Sequence, residues 1–509
     1  MYSIKYLLII CAFNISAYSM ARVTPDPDFV VRNKYDYTYT IYSYRNRSNI
    51  TQQDFPAHIK FRILSFELGT LTSVPNDVLP IGLFVLQFQW VPLAYIADDA
   101  FQASADTLDQ LEFTDTNLTS LPNALLSLNN LTSLTITNTN IQYWNITILE
   151  HIVPNLKVIT LINVGLTSWP SWISSSKSLY FLNFALNSIA YVPDDAFNSL
   201  TNTLKQLSLE TNGLTEVPKA LLNLSQLKQL VLSGNNFKDV NGRPGIEQLL
   251  SFPSAKTIEG LFIESIGLTV LPNLSGLTKL TAIKLGYNNI SDPTSGSLPM
   301  SVTYLQLQFN NLPSVPTVVS NVADIGILDL SNNQITNISM DMLSSKIYYL
   351  DLSNNNISEI TEAIGTRIYS LDTLNLKFNP ITYIAPSAFK SITSLIDLYL
   401  DNTFLTELPV ALSSLINLRT LTITPGSLTC ECPSPPELGK WYQTNVVAYK
   451  INNACNNGTL MTDYLSYPCN NYTRTTTTPG GGVAPIRAFI LSYTYAAVLL
   501  SLVLYISSF

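Results

Sequence analysis

Histidine is nearly missing from this chain of 509 residues: His58 and His151 are the only two, and they stand far apart. So few imidazoles make neither a metal cluster nor a nucleophile–base pair, and each reads as a surface or cap residue. No Walker-type or dinucleotide glycine pattern occurs. The one glycine run, Gly480 to Gly482, follows threonines and a proline instead of joining a strand to a helix. Paired carboxylates such as Asp98-Asp99 sit in turns, where they serve solubility and local bonding. No cofactor, no metal and no catalytic residue is therefore expected, and the chain does not read as an enzyme. Positive charge is also short. The net charge of −8 becomes −10 once the outlying Lys5 and Arg487 are set aside, which argues against nucleic acid as a partner. Charged residues make up 12% of the chain against 46% apolar, a balance that asks for a special architecture and directs attention to internal repetition.

Cysteine is scarce and clustered. Cys11 lies in an N-terminal segment, residues 1–19, that has the marks of a secretory signal: Lys5, an apolar stretch from Tyr6 to Ile15, and Ala17-Tyr18-Ser19 before the cleavage point. The other four, Cys430, Cys432, Cys455 and Cys469, fall within forty residues, as two disulfides of an exported chain would, with three connectivities open. Beyond residues 1–19, twelve Asn-x-Ser/Thr sequons agree with that compartment, at Asn46, Asn49, Asn117, Asn130, Asn145, Asn223, Asn273, Asn289, Asn337, Asn356, Asn457 and Asn471.

From residue 61 to 428 the pattern L-x-x-L-x-L-x-x-N-x-L recurs sixteen times, starting at Phe61, Leu83, Leu108, Leu131, Leu156, Leu179, Leu204, Leu227, Ile258, Leu280, Val302, Ile325, Ile347, Leu371, Leu395 and Leu418. Spacings are 22 to 25 residues except for one of 31, where Asn241 to Ser254 is inserted and Gly245 to Phe252 reads as an outer helix or a surface loop. The alternating L-x-L core predicts a short strand per copy that cannot bury itself alone; stacked copies form one parallel sheet over a shared core. Leu350, Leu352 and Ile357 exemplify inward positions.

The ninth position is Asn in eight copies (Asn187, Asn212, Asn235, Asn288, Asn310, Asn333, Asn355 and Asn379), and a buried carboxamide there can satisfy the backbone where it leaves each strand. Thr116, Thr139 and Thr403 are partial substitutes, whereas Val91, Val164 and Ile266 predict rungs that are looser or locally rearranged. Valine- or leucine-proline steps, as at Leu121-Pro122, Val217-Pro218 and Leu408-Pro409, favour extended or short helical turns on the return path. Phe101, Phe197 and Phe389, in turns that end Ala-Phe, are expected to plug the outer core.

These repeats resemble the typical class of extracellular leucine-rich repeats. The resemblance implies an α/β solenoid: a leucine-rich-repeat horseshoe with a parallel sheet on its concave face and short helices or turns on its convex face. Cys430-Glu431-Cys432, Leu438, Trp441, Cys455 and Cys469 resemble the cysteine-rich C-terminal cap of that family, which implies pairing Cys430 with Cys455 and Cys432 with Cys469. Repeats and cap, 61–428 and 429–469, span about four fifths of the chain. The family's disulfide-bonded N-terminal cap has no counterpart, since residues 20–60 lack cysteine; Val30 to Ile50 is expected to cover that end with a strand instead.

Beyond the cap, residues 470–487 form a Thr/Pro/Gly-rich stalk, and 488–509 carry no charge. Such a tail is long enough to cross a bilayer, yet has no basic flank after it. It is read as a glycosylphosphatidylinositol signal with Gly480, Gly481 and Gly482 as attachment candidates, or alternatively as a transmembrane helix. The expected location is the extracellular face of the plasma membrane.

Within each repeat, positions 2, 3, 5, 7 and 8 point out of the sheet and align from copy to copy. In the C-terminal half they include Phe262, Lys284, Tyr287, Tyr304, Gln306, Gln308, Phe309, Asp329, Tyr349, Asp351, Asn375, Lys377, Phe378 and Tyr399, aromatics interleaved with polar groups as in an interface core. The expected function is recognition or adhesion through the concave face, with an extracellular protein or glycan as ligand and a co-receptor as the candidate for signalling. A structural coat glycoprotein and an inhibitor of a secreted enzyme are the alternatives.

Overall fold

The computed structural model describes residues 29–31, 41–56, 59–237, 245–338, 343–361, 364, 368–423, 428–431, 433–444, 455–456 and 460–466, all within the unit Asp28–Asn471. Each of the sixteen repeats contributes one strand, beginning two residues after the start of its motif, from Ile63–Glu67 in the first to Thr420–Ile423 in the last. Together with two strands ahead of the repeats they form one eighteen-stranded sheet. Every repeat strand pairs in parallel with the next, and equivalent positions stand opposite one another throughout, as in Leu305 against Leu328 and Leu328 against Leu350. Such register follows from the period-two pattern, because a slip of one residue would turn each row of leucines to solvent.

Ahead of the first repeat, Ile41–Arg45 extends the sheet in parallel alongside Ile63–Glu67, and Phe29–Val31 pairs with it antiparallel. Tyr44 packs on Phe55 and Phe66 and donates its hydroxyl to the Asp54 carbonyl. Aromatics continue inward: Phe66, Phe88 and Phe113 occupy the same motif position in three consecutive repeats and stack with centroids 5.2 and 5.7 Å apart. Phe101, Phe197 and Phe389 are fully buried on the return side.

The return segments are built mostly of short 3-10 helices rather than α-helix. Pro122, Pro170, Pro218, Pro316 and Pro409 each stand at the N-cap of one. Proline's fixed φ suits that position, and its missing N–H costs nothing where no helical partner exists. In the long repeat, Gly245–Ser251 and Pro253–Lys256 are 3-10 helices, with Ile246 and Leu249 buried in the core. At the far end, helix Pro436–Thr444 buries Leu438 and Trp441, whose indole N–H donates to the Leu415 carbonyl at 2.9 Å. Cys430 is joined to Cys455, the first of the two pairings implied by the family resemblance. The second involves Cys432 and Cys469, which lie outside the described residues, as do Asn457, Asn471, His58, residues 1–19, the stalk 470–487 and the 488–509 tail. Among the described residues no helix is long and apolar enough to cross a membrane.

Each ninth-position asparagine ties its repeat to the one before. Asn333, for example, donates through Nδ2 to the carbonyls of Leu307, Leu330 and Ser331 and accepts at Oδ1 from the Leu312 N–H, so its carboxamide ties two repeats together. Thr116 and Thr139 substitute by sharing a hydroxyl–hydroxyl bond, and Thr403 bonds back to the Leu400 carbonyl. Two of the apolar rungs are locally rearranged. Asn187 accepts from both Val164 and Leu166, and Asn288 from both Ile266 and Leu268, so the neighbouring asparagine takes over the valine or isoleucine rung's own N–H.

Candidate recognition face

Parallel register places the odd motif positions in straight rows across the open face of the sheet. The fifth positions of seven consecutive repeats, Phe262, Lys284, Gln306, Asp329, Asp351, Asn375 and Tyr399, are direct partners one strand to the next. Beside them run the third positions, in which Tyr304 and Tyr349 flank Ile327. All fourteen residues expected at the site lie on this face or at its rim, over repeats nine to fifteen.

Backbone geometry makes the rim distinctive. The eighth position of each of the first fifteen repeats is left-handed, with φ between 49° and 57° for the non-glycine residues and 70° at Gly234. Asn, Asp and Gly tolerate that conformation, and several repeats use them: Asp115, Asn138, Asn163, Asn332, Asn354 and Asn402. Tyr287, Phe309 and Phe378 do not belong to that class, yet they adopt it and remain 49%, 44% and 52% exposed. Bulky residues in this region cost of order 1 kcal/mol or more each. Tyr287 and Phe309 recover part of that cost by stacking with centroids 4.4 Å apart; neither burial nor conformation explains why they are aromatic. Leu68, Trp90 and Leu186 are further exposed apolar residues in the same conformation toward the N-terminal end.

Three expected residues are not presented to solvent as the sequence suggests. Phe262 is buried beneath Lys284, whose ammonium lies 4.9 Å from its ring centroid. Burial pushes the Lys284 ammonium's pKa down against the opposing pull of Glu264 and Glu210. Asp351 is also buried: one carboxylate oxygen accepts from the Ser353 N–H and hydroxyl at 2.9 and 2.6 Å, the other from the Asn375 amide at 2.8 Å. Lys377 pairs with Asp401 at 3.0 Å and lies over the Tyr399 ring.

Glu264 and Asp401 were absent from the expected set, although both occupy the seventh position and could have been named by alignment of the repeats. Gly286 shows why Glu264 matters: a Cβ there would meet the Gln308 amide at 2.7 Å, and without one that amide reaches across a whole repeat to donate to Glu264 at 3.2 Å. Burial, more than the neighbouring Glu210, raises the Glu264 pKa despite Lys284 and Gln308. Asp329 has less support. Its side chain accepts from the Ser331 N–H at 2.9 Å, and burial together with the Asp351 charge pushes its pKa up to about 6. The Tyr304 hydroxyl is pushed up to about 12 by burial and then by Asp329; that of Tyr349 is raised further by burial and Asp351. Tyr304 and Tyr349 are therefore protonated phenols beside carboxylates at neutral pH, able to donate hydrogen bonds.

None of the twelve sequon asparagines is a third-, fifth- or seventh-position residue of the sheet face. Of the ten in the described residues, Asn145 and Asn223 are half-buried and eight are exposed. No group of three or more metal-ligating side chains is assembled among the described residues, and His151 sits on the outer helix Ile146–Ile152.

Leucine-rich-repeat family models match residues 346–366 and 369–424. Lumican of Rattus norvegicus is 29% identical over 231 residues, covering 44% of this chain and 64% of lumican. Osteomodulin of the same species is 26% identical over 194 residues, 32% of this chain and 43% of its own. The chain thus spans less than two thirds of each of these relatives. A chain from the Toll–Spatzle complex of Drosophila has the same fold at TM-score 0.58 and 19% identity, covering 76% of this chain and 55% of that one. The protein is a leucine-rich-repeat solenoid, related through its repeats to lumican and osteomodulin.

Proposed function

We propose that this protein is an extracellular recognition or adhesion protein whose ligand docks on the open sheet face of repeats nine to fifteen. The observation that carries the reading is the set of exposed aromatics, Tyr287, Phe309 and Phe378, held in left-handed backbone where a polar residue would be less strained. Aromatic side chains with two rotatable bonds give large contact area at little entropic cost, and Gln, Asn, Asp and Tyr hydroxyls around them supply direction. The sheet supplies rigidity, since each position is fixed by register and by the asparagine ladder beneath it. The face has no substrate-activating constellation, so binding rather than catalysis is the activity assigned. Export by residues 1–19, a cap braced by two disulfides, glycans on the sequons and a lipid anchor at Gly480, Gly481 or Gly482 complete the proposal, with display on the outer membrane surface adding avidity.

The test is a multimerised segment Ala21–Cys469, wild type beside Tyr304→Ala/Phe309→Ala/Phe378→Ala, applied to cells and to secreted proteins. Saturable binding by the wild type, reduced at least tenfold in the variant at equal secretion, is the expected outcome. Equal binding by both would move the site elsewhere. Asp351 is left out of this variant because its carboxylate also braces its own strand.

A further inference from the structure

Resting on that reading, we infer that the partner is a protein presenting a basic side chain, arginine or lysine, which seats against Asp329, the register neighbour of the buried Asp351, between Tyr304 and Tyr349. At the third, fifth and seventh positions of repeats seven to fifteen the sequence places six carboxylates and two ammonium groups. Both ammonium groups are engaged within the protein: Lys284 over Phe262 beside Glu264, and Lys377 with Asp401 and Tyr399. Asp329 and Asp351 are register partners on adjacent strands, which lie roughly 4.8 Å apart. No lysine or arginine among the described residues forms an ion pair with either. Asp351 is bonded on both oxygens by Ser353 and Asn375, with the Tyr349 hydroxyl a distant 3.4 Å from it, whereas Asp329 is held only by Ser331.

Two carboxylates in one row repel, and the shared position of lowest electrostatic energy between them is a cation's. A guanidinium or ammonium beside Asp329 gains that charge directly and the field of the buried Asp351 behind the Ser353 and Asn375 bonds. A neutral sugar would leave the repulsion in place, and a sulfated or uronic glycan would add to it. The charge of the face thus selects a basic protein segment over a glycan, in the way that interfacial charge generally selects partners.

A random twelve-residue peptide display library, panned on the multimerised wild-type ectodomain, tests this directly. Selected peptides are expected to be enriched in Arg or Lys beside an apolar residue. They should bind at least tenfold more weakly to Asp329→Asn/Asp351→Asn, to Asp329→Asn alone, and to Phe309→Ala, with thermal unfolding confirming each fold. Selection without enrichment in basic residues overturns the inference. So does peptide binding that Phe309→Ala weakens and Asp329→Asn does not, an outcome that leaves the face itself in place. Peptides indifferent to all variants would overturn both readings. Binding of neutral or acidic glycans on an array, lost in the Asp variants, would replace the basic segment with a carbohydrate.

Discussion

A single side chain in this solenoid often serves either the stack or the surface, and the eighth motif position separates the two. Asn332 and Asn354 suit their left-handed backbone; Phe378 occupies the same conformation at a conformational cost and with its ring in solvent. Replacing Phe378 by Asn is expected to stabilise the protein by about 0.5–1 kcal/mol, through relief of that cost, while weakening ligand binding. Chemical unfolding and binding titration of the same preparation would reveal the trade; loss of stability instead would mean that the ring has a structural role. At Phe309 the gain would be smaller, since stacking on Tyr287 is lost. Asp329 makes a second residue-scale prediction. Its folded pKa is raised to about 6, above the ordinary carboxylate value of about 3.9 in an unfolded chain, so the folded state binds more protons between those values. Stability contributed by this group is therefore lost as pH rises through about 6. Asp329→Asn should be more stable than wild type above pH 6, and the difference should close as pH falls to about 4. A difference that is independent of pH would remove the electrostatic explanation.

At the scale of the strand and its turn, the repeat is the unit and the buried carboxamide its fastener. Asn333→Ala removes three donor contacts to carbonyls and leaves the Leu312 N–H without its acceptor. Each buried polar group left unsatisfied costs about 1–3 kcal/mol, so a loss of at least 2 kcal/mol is expected, with hydrogen exchange accelerated first in the two repeats that flank the turn. Uniform acceleration along the chain would argue against nearest-neighbour coupling of the repeats. The strands, their register, the ladder and the return prolines were all readable from the sequence, because each depends on residue type at a fixed motif position. Side-chain geometry across repeats was not readable. That Lys284 covers Phe262, and that Gln308 passes over Gly286 to Glu264, depends on residues 22 and 44 positions apart meeting on a packed surface. The arrangement at the apolar rungs shares that cause: the Asn187 carboxamide of the next repeat, and not the Val164 side chain, accepts from the Val164 N–H.

For the whole molecule, division of labour between faces is the central claim. The return segments carry the 3-10 turns, and the sequons lie outside the third, fifth and seventh positions, whose rows of Tyr, Phe and Asp form the open face. Placing a glycan on each side separates them. Gln306→Asn with Gln308→Thr creates a sequon in the middle of the open face, and Ala323→Thr creates one at the exposed Asn321 in the return segment of the same repeat. Both variants are to be secreted, shown by mass spectrometry to carry the added glycan, and compared with wild type for binding to the same cells. The account predicts that the glycan at position 306 abolishes binding while the glycan at Asn321 leaves it within twofold; binding that survives the first or is lost with the second would contradict recognition through the sheet face.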